Sequence, residues 1–155
     1  MAVTGISVMD AMTTQVITVT PEQSAEDCAK IMAAKRVGSV LVLKGNRPIG
    51  IITEQDLVRK LMAQGQNPAT TPAKDIMDDR LVTIPRDTDI SEAIALMAKH
   101  VIRHLPVAED GKLYGMITAK DILKIEPALI DIMAEKFRLR EEDDKYERLG
   151  RIRGK

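Results

Sequence analysis

A chain of 155 residues that is 45% hydrophobic but only 2% aromatic must build its core from aliphatic and methionine side chains. With 23 basic against 23 acidic residues, net charge exerts no general pull towards nucleic acid or an anionic membrane. The one cysteine, Cys28, excludes an internal disulfide and a C-x-x-C metal site and fits a reducing, cytoplasmic setting; no apolar run nears the ~20 residues of a membrane helix, and the opening residues carry no secretory pattern.

The β-branched run Val16 to Val19, closed by Thr20-Pro21, predicts a strand. Ser24 is a helix N-cap, and Ala25, Cys28, Ala29, Met32 and Ala33 recur at helical spacing, so a helix is expected to Arg36 with Gly38 ending it. Ser39 to Leu43 reads as an apolar strand, Gly45-Asn46 as a hairpin turn, Pro48 to Thr53 as the paired strand and Glu54 to Met62 as a second helix. Ala63 to Lys74 has the composition of a surface loop. The same order then returns: strand Leu81 to Ile84, helix Ile90 to His100, strand His104 to Ala108, turn Glu109 to Lys112, strand Leu113 to Thr118, helix Ala119 to Ile125. Beyond Glu126, the pairs Ala128-Leu129, Ile132-Met133 and Lys136-Phe137 form a helical apolar stripe, which suits packing on a twin subunit or on its own domain equally. A charged end follows, with Arg148, Arg151, Arg153 and Lys155.

The recurrence is an internal duplication. A shift of 65 positions places Asp10 on Asp75, Met12 on Met77, Thr18 on Thr83, Met32 on Met97, Val42 on Val107, Gly50 on Gly115, Thr53 on Thr118 and Asp56 on Asp121, without a gap. The chain therefore divides into a first motif (8–62), a linking loop (63–74), a second motif (75–125) and a C-terminal helix with a charged tail (126–155). Neither motif alone is large enough to hide its apolar faces, so the two are expected to pack about a pseudo-twofold axis with a ligand cleft at the seam.

The β-α-β-β-α order, its duplication, and the segments Gly50-Ile51-Ile52-Thr53-Glu54-Gln55-Asp56 and Gly115-Met116-Ile117-Thr118-Ala119-Lys120-Asp121 resemble the CBS (cystathionine β-synthase) domain family. Arg36-Val37-Gly38-Ser39-Val40 and Ile102-Arg103-His104-Leu105-Pro106-Val107 are similar to the strand segments of a first and a second CBS motif. The resemblance runs from about Val8 to Ile125. It implies an α/β fold of tandem CBS motifs, a homodimeric disk, and a regulatory role in binding AMP, ADP, ATP or S-adenosylmethionine on behalf of an effector protein reached in trans.

The residue chemistry suits that implication. A Thr at a strand end and an Asp three residues on face the same way: hydroxyl and helix-start amides fit a phosphate, and the carboxylate fits a ribose cis-diol. Thr53 with Asp56, and Thr118 with Asp121, supply these groups; Arg103 offers a planar donor fork for phosphate, and Lys120 resembles a phosphate-contacting position of the adenylate-sensing kinase γ subunits. Adenine would lie in the apolar cleft with its polar edge read by backbone groups near Thr18 or Thr83; Ser39 lies opposite Arg103 at the Asp121 pocket, and Gly38 and Pro106 complete the candidate ligand-binding set. The simpler reading makes both Thr–Asp pairs helix-capping devices.

The two pockets are not equivalent, because Gly38 stands where Arg103 stands in the second motif; the Asp56 pocket would borrow Lys120 or His104 across the axis. His100 and His104 read as one surface and one cleft residue rather than a metal pair, and Cys28 and the methionines as core. With no P-loop, G-x-S-x-G or H-E-x-x-H motif, catalytic residues, catalytic cofactors and metals are not expected. Nucleic-acid binding by the basic end is disfavoured, since Tyr146 is its one aromatic residue. The alternative to a nucleotide-binding regulator is a structural protein-interaction module that binds no physiological nucleotide.

Overall fold

The computed structural model describes residues 3–128 and 131–139. Its elements follow the duplicated order: α1 (Val8–Ala11), β1 (Thr18–Val19), α2 (Ala25–Lys35), β2 (Ser39–Lys44), β3 (Arg47–Thr53) and α3 (Glu54–Asp56), which runs on as a π-helical stretch, Leu57–Met62. The second round comprises α4 (Ala73–Ile76), α5 (Ile90–His100), β4 (His104–Glu109), β5 (Lys112–Thr118) and α6 (Ala119–Ile125). Residues 131–139 are helical. The short helices α1 and α4, at matched positions, lay within stretches that showed no helical period.

Local chemistry explains the boundaries. The Ser24 hydroxyl accepts from the Asp27 amide (3.1 Å) and starts α2, as expected. Asp89 does the same for α5, accepting from Ser91 (2.8 Å), and its carboxylate also takes the amides of Thr4 (3.0 Å) and Gly5 (2.9 Å). Burial works to raise the Asp89 pKa, but the hydrogen bonds from Ser91, Thr4 and Gly5 outweigh it and hold the carboxyl well below its ordinary range. Gly38 does not end α2. Arg36 does, in the left-handed conformation (φ 54°), with Val101 at φ 54° closing α5 in the same way. Each closes with its own amide and the next turned back onto the last helical carbonyls, so the stop is made by backbone bonding rather than by glycine.

The expected strand Leu81 to Ile84 is reduced to a single parallel bridge, Ile84 to Val107. In the first motif the Leu41 amide donates to the Ile17 carbonyl (3.0 Å), which extends the β1–β2 ladder. Its counterpart is Pro106, which has no N–H to give, so the ladder shortens to the bonds on either side of Ile84.

The halves exchange their opening segments. α1 packs on the second motif: Val8 and Ala11 join the core of Ile84, Ile90, Ile94, Met97, Leu105, Val107, Ile117 and Ile122, and Thr13 pairs with Met116. α4 packs on the first motif: Ala73 and Ile76 join Val19, Ala25, Cys28, Val40, Val42, Ile52 and Leu61, while Asp78 pairs with Ile51. Gly50 and Gly115 permit this. A Cβ on Gly50 would overlap the Met77 side chain, and one on Gly115 would lie 2.5 Å from the Thr13 carbonyl oxygen and 2.8 Å from the Met12 sulfur. The glycines that help define the family-like segments are therefore packing residues, and Met12 and Met77 have the structural role expected of them.

Cys28 is fully buried in the first core, where burial pushes its thiol pKa up. Met133 is buried in the second core and Phe137 packs against it, so the helix at 131–139 covers its own chain's second motif. The basic end, Arg148 to Lys155, lies outside the described residues.

Candidate functional site

The residues singled out in the sequence fall into two matched clusters. In the first, β2 pairs with β3 so that Ser39 lies opposite Thr53, and the Gly38 carbonyl accepts from the Glu54 amide (3.2 Å). Thr18 pairs with Leu41, two residues along β2 from Ser39. In the second, His104 lies opposite Thr118, and the Arg103 carbonyl accepts from the Ala119 amide (3.0 Å). Pro106 is buried on β4, Thr83 precedes the Ile84 bridge, and Arg103, Lys120, Thr18 and Thr83 are exposed.

Both Thr–Asp pairs form capping boxes. The Thr53 amide and hydroxyl donate to Asp56 Oδ2 (2.8 and 3.1 Å); those of Thr118 donate to Asp121 Oδ2 (2.9 and 2.7 Å). The Asp121 amide donates back to Thr118 Oγ1 (3.2 Å). One carboxylate oxygen of each Asp is thus committed to its own helix start.

The other oxygens differ. Asp56 Oδ1 lies 3.0 Å from Lys60 Nζ, one helical turn on, and that ammonium also donates to the Ile76 carbonyl (3.1 Å). The position matching Lys60 is Ile125, and among the described residues Asp121 Oδ1 has no partner. Lys60 escaped the sequence reading, although its i,i+4 spacing from Asp56 was visible there.

The clusters meet where His104 reaches the first motif. A Cβ on Gly38 would stand 3.6 Å from His104 Nε2 and 3.7 Å from Glu54 Oε2. This puts Glu54, also missed by the sequence reading, beside Gly38 and His104. Its counterpart is Ala119. Burial lowers the His104 pKa, and the Arg103 guanidinium adds to that effect, while the carboxylates of Glu54 and Asp121 oppose it. His100 sits exposed at the end of α5. His104, one of the two cross-axis residues expected near the Asp56 pocket, approaches Gly38. Next to this junction, Ala29, Met32, Ala33, Arg36, Val37, Gly38, Glu54 and Leu57 line a cleft of about 480 Å³.

Among the described residues no group of three metal-ligating side chains comes together, and no helix is long and apolar enough to cross a membrane.

Comparison with known proteins agrees with this architecture. The model of the CBS domain matches twice, over residues 8–63 and 73–127. A Methanopyrus kandleri protein, MK0525, is 39% identical over 140 residues, 89% of this chain and 71% of that one. The CBS domain-containing protein YhcV of Bacillus subtilis is 34% identical over 116 residues, 75% of this chain and 82% of its own length. Among solved structures, a Burkholderia ambifaria protein described as a putative signal-transduction protein with CBS domains superposes with a TM-score of 0.73 at 32% identity, over 77% of this chain and 93% of that one.

Proposed function

The chain belongs to the CBS-domain family as a tandem module of the regulatory kind, and from that premise we propose that it binds an adenosyl ligand at the seam between its motifs. The observation that carries the proposal is the second cluster. Arg103, Thr118 and Asp121 are held together by the Ala119-to-Arg103 backbone bond and the capping box, and among the described residues Asp121 Oδ1 has no partner, so it could take a hydroxyl donor. The guanidinium, with Lys120, would take phosphate; the carboxylate would take the ribose diol. AMP, ADP, ATP and S-adenosylmethionine all carry that sugar.

A ligand touching both motifs would favour one arrangement of the seam, by no more than its difference in affinity for the two arrangements. A partner protein would read that change in trans. A homodimer belongs to the same reading. Val58 and Met62, exposed at 55% and 74%, are apolar side chains on the π-helical stretch that begins at Leu57. The buried Cys28 thiol suits a reducing, cytoplasmic compartment.

The rival reading, an interaction module without nucleotide, draws on the capping boxes, which give both Asp residues a structural duty. Thermal unfolding with each of the four ligands separates the two. Binding to the folded state raises the transition by mass action. The expected result is a saturable rise with at least one ligand, absent when Asp56→Ala and Asp121→Ala are combined. No rise with any ligand supports the rival.

A further inference from the structure

Resting on the ligand-binding reading above, we infer that the module has one working pocket per chain, at Asp121, and that Lys60 and Glu54 close the Asp56 pocket to nucleotide. Both oxygens of Asp56 are occupied from within: Oδ2 by Thr53, and Oδ1 by Lys60 at 3.0 Å. Lys60 is itself anchored at a second point, the Ile76 carbonyl of α4, so the ion pair also ties the crossing helix to the motif it packs on. The Asp56 side chain is only 16% exposed, so with Thr53 and Lys60 on its two oxygens little of the carboxylate is left to solvent. A ribose diol would have to compete at Asp56 Oδ1 with an ammonium that its bond to Ile76 holds in place. At Asp121 the matched residue is Ile125, which competes for nothing.

The phosphate end differs in the same direction. Where the second pocket has Arg103, Ala119 and Lys120, the first has Gly38, Glu54 and Gln55. The Glu54 carboxylate lies beside Gly38, where a cation would be needed, with His104 next to it. The first pocket therefore offers a phosphate less positive charge than the second. Lys60 blocks the sugar and Glu54 opposes the anion, so the two observations are independent. The ligand class favoured by the remaining pocket is a phosphorylated adenosine.

Isothermal titration of the full chain with AMP, and separately with adenosine, tests this. The expected stoichiometry is one AMP per chain. Asp121→Asn is expected to weaken AMP binding at least tenfold, and Asp56→Asn to change it less than twofold. Asn keeps an acceptor for the capping bonds, and thermal unfolding of each variant verifies that it is folded. Joining Lys60→Met with Glu54→Ala, which gives the first pocket the uncharged character of Ile125 and Ala119, is expected to raise the adenosine stoichiometry above one. Two AMP per wild-type chain, or binding lost in Asp56→Asn and kept in Asp121→Asn, overturns the single-pocket inference and leaves the ligand-binding reading standing. An adenosine stoichiometry that stays at one in the double variant overturns the role of Lys60 and Glu54. Absence of saturable binding by both AMP and adenosine overturns the single-pocket inference, and the thermal screen with all four ligands then decides the ligand-binding reading by itself.

Discussion

The first and second motifs share one element order, yet a few matched positions send them to different ends. Leu41 keeps a ladder bond that Pro106 lacks, so β1 is a strand in the first motif and a single bridge in the second. After Asp56 the helix widens to a π-helical stretch, whereas after Asp121 it stays α to Ile125. The first motif pairs its carboxylate with Lys60, and in the second one oxygen of Asp121 has no partner among the described residues. Duplication gives two copies of the same scaffold; single substitutions then separate a copy whose carboxylate is tied into the assembly from one whose carboxylate keeps an oxygen without a partner among the described residues.

The largest effect that would sharpen this contrast is at the crossing helices. Ile76 is 2% exposed in the first core, and its counterpart in α1 is only Ala11. Ile76→Ala makes the two crossings alike and is expected to cost about 3 kcal/mol from lost burial and the cavity left behind. Urea denaturation reads it; a loss below about 1 kcal/mol would mean that α4 is not a core element.

The two close-approach glycines should part in the same experiment. A methyl on Gly50 meets the flexible Met77 side chain, while one on Gly115 meets the Thr13 backbone carbonyl. Gly115→Ala is expected to cost about 2–3 kcal/mol and Gly50→Ala about 1 kcal/mol, within the usual range for overpacking. The reverse order would contradict the packing described here.

The smallest effect is one of pH at the junction of the motifs. His104 titrates lower in the folded chain than in the unfolded one, chiefly through burial, with Arg103 adding to it and Glu54 and Asp121 opposing. As pH falls below about 6.5 the unfolded chain takes up a proton that the folded chain resists, so stability declines. His104→Gln should flatten the thermal midpoint between pH 7 and 5 relative to wild type. An unchanged slope would place His104 outside the buried junction.

Much of this was legible in the sequence, because the duplication, the helix caps and the apolar strands are local signals. The α/β order, the Ser24 cap, both hairpins and both Thr–Asp pairs needed only spacing and residue type. What escaped was relational. That α1 and α4 change sides depends on contacts between distant segments, such as Thr13 with Met116 and Ile51 with Asp78. The missing donor at Pro106 matters only once Ile17 is seen bonding to its counterpart Leu41. Lys60 and Glu54 stood in plain view at helical spacing and in the matched alignment, but only three-dimensional placement shows that one covers Asp56 and the other faces His104.

A crystal structure of the chain grown with AMP would test the account most directly. It predicts one nucleotide per chain, with the ribose hydroxyls on Asp121, the phosphate towards Arg103, and the Lys60–Asp56 pair intact. Nucleotide on Asp56 with Lys60 displaced, or AMP bound away from both carboxylates, would contradict it.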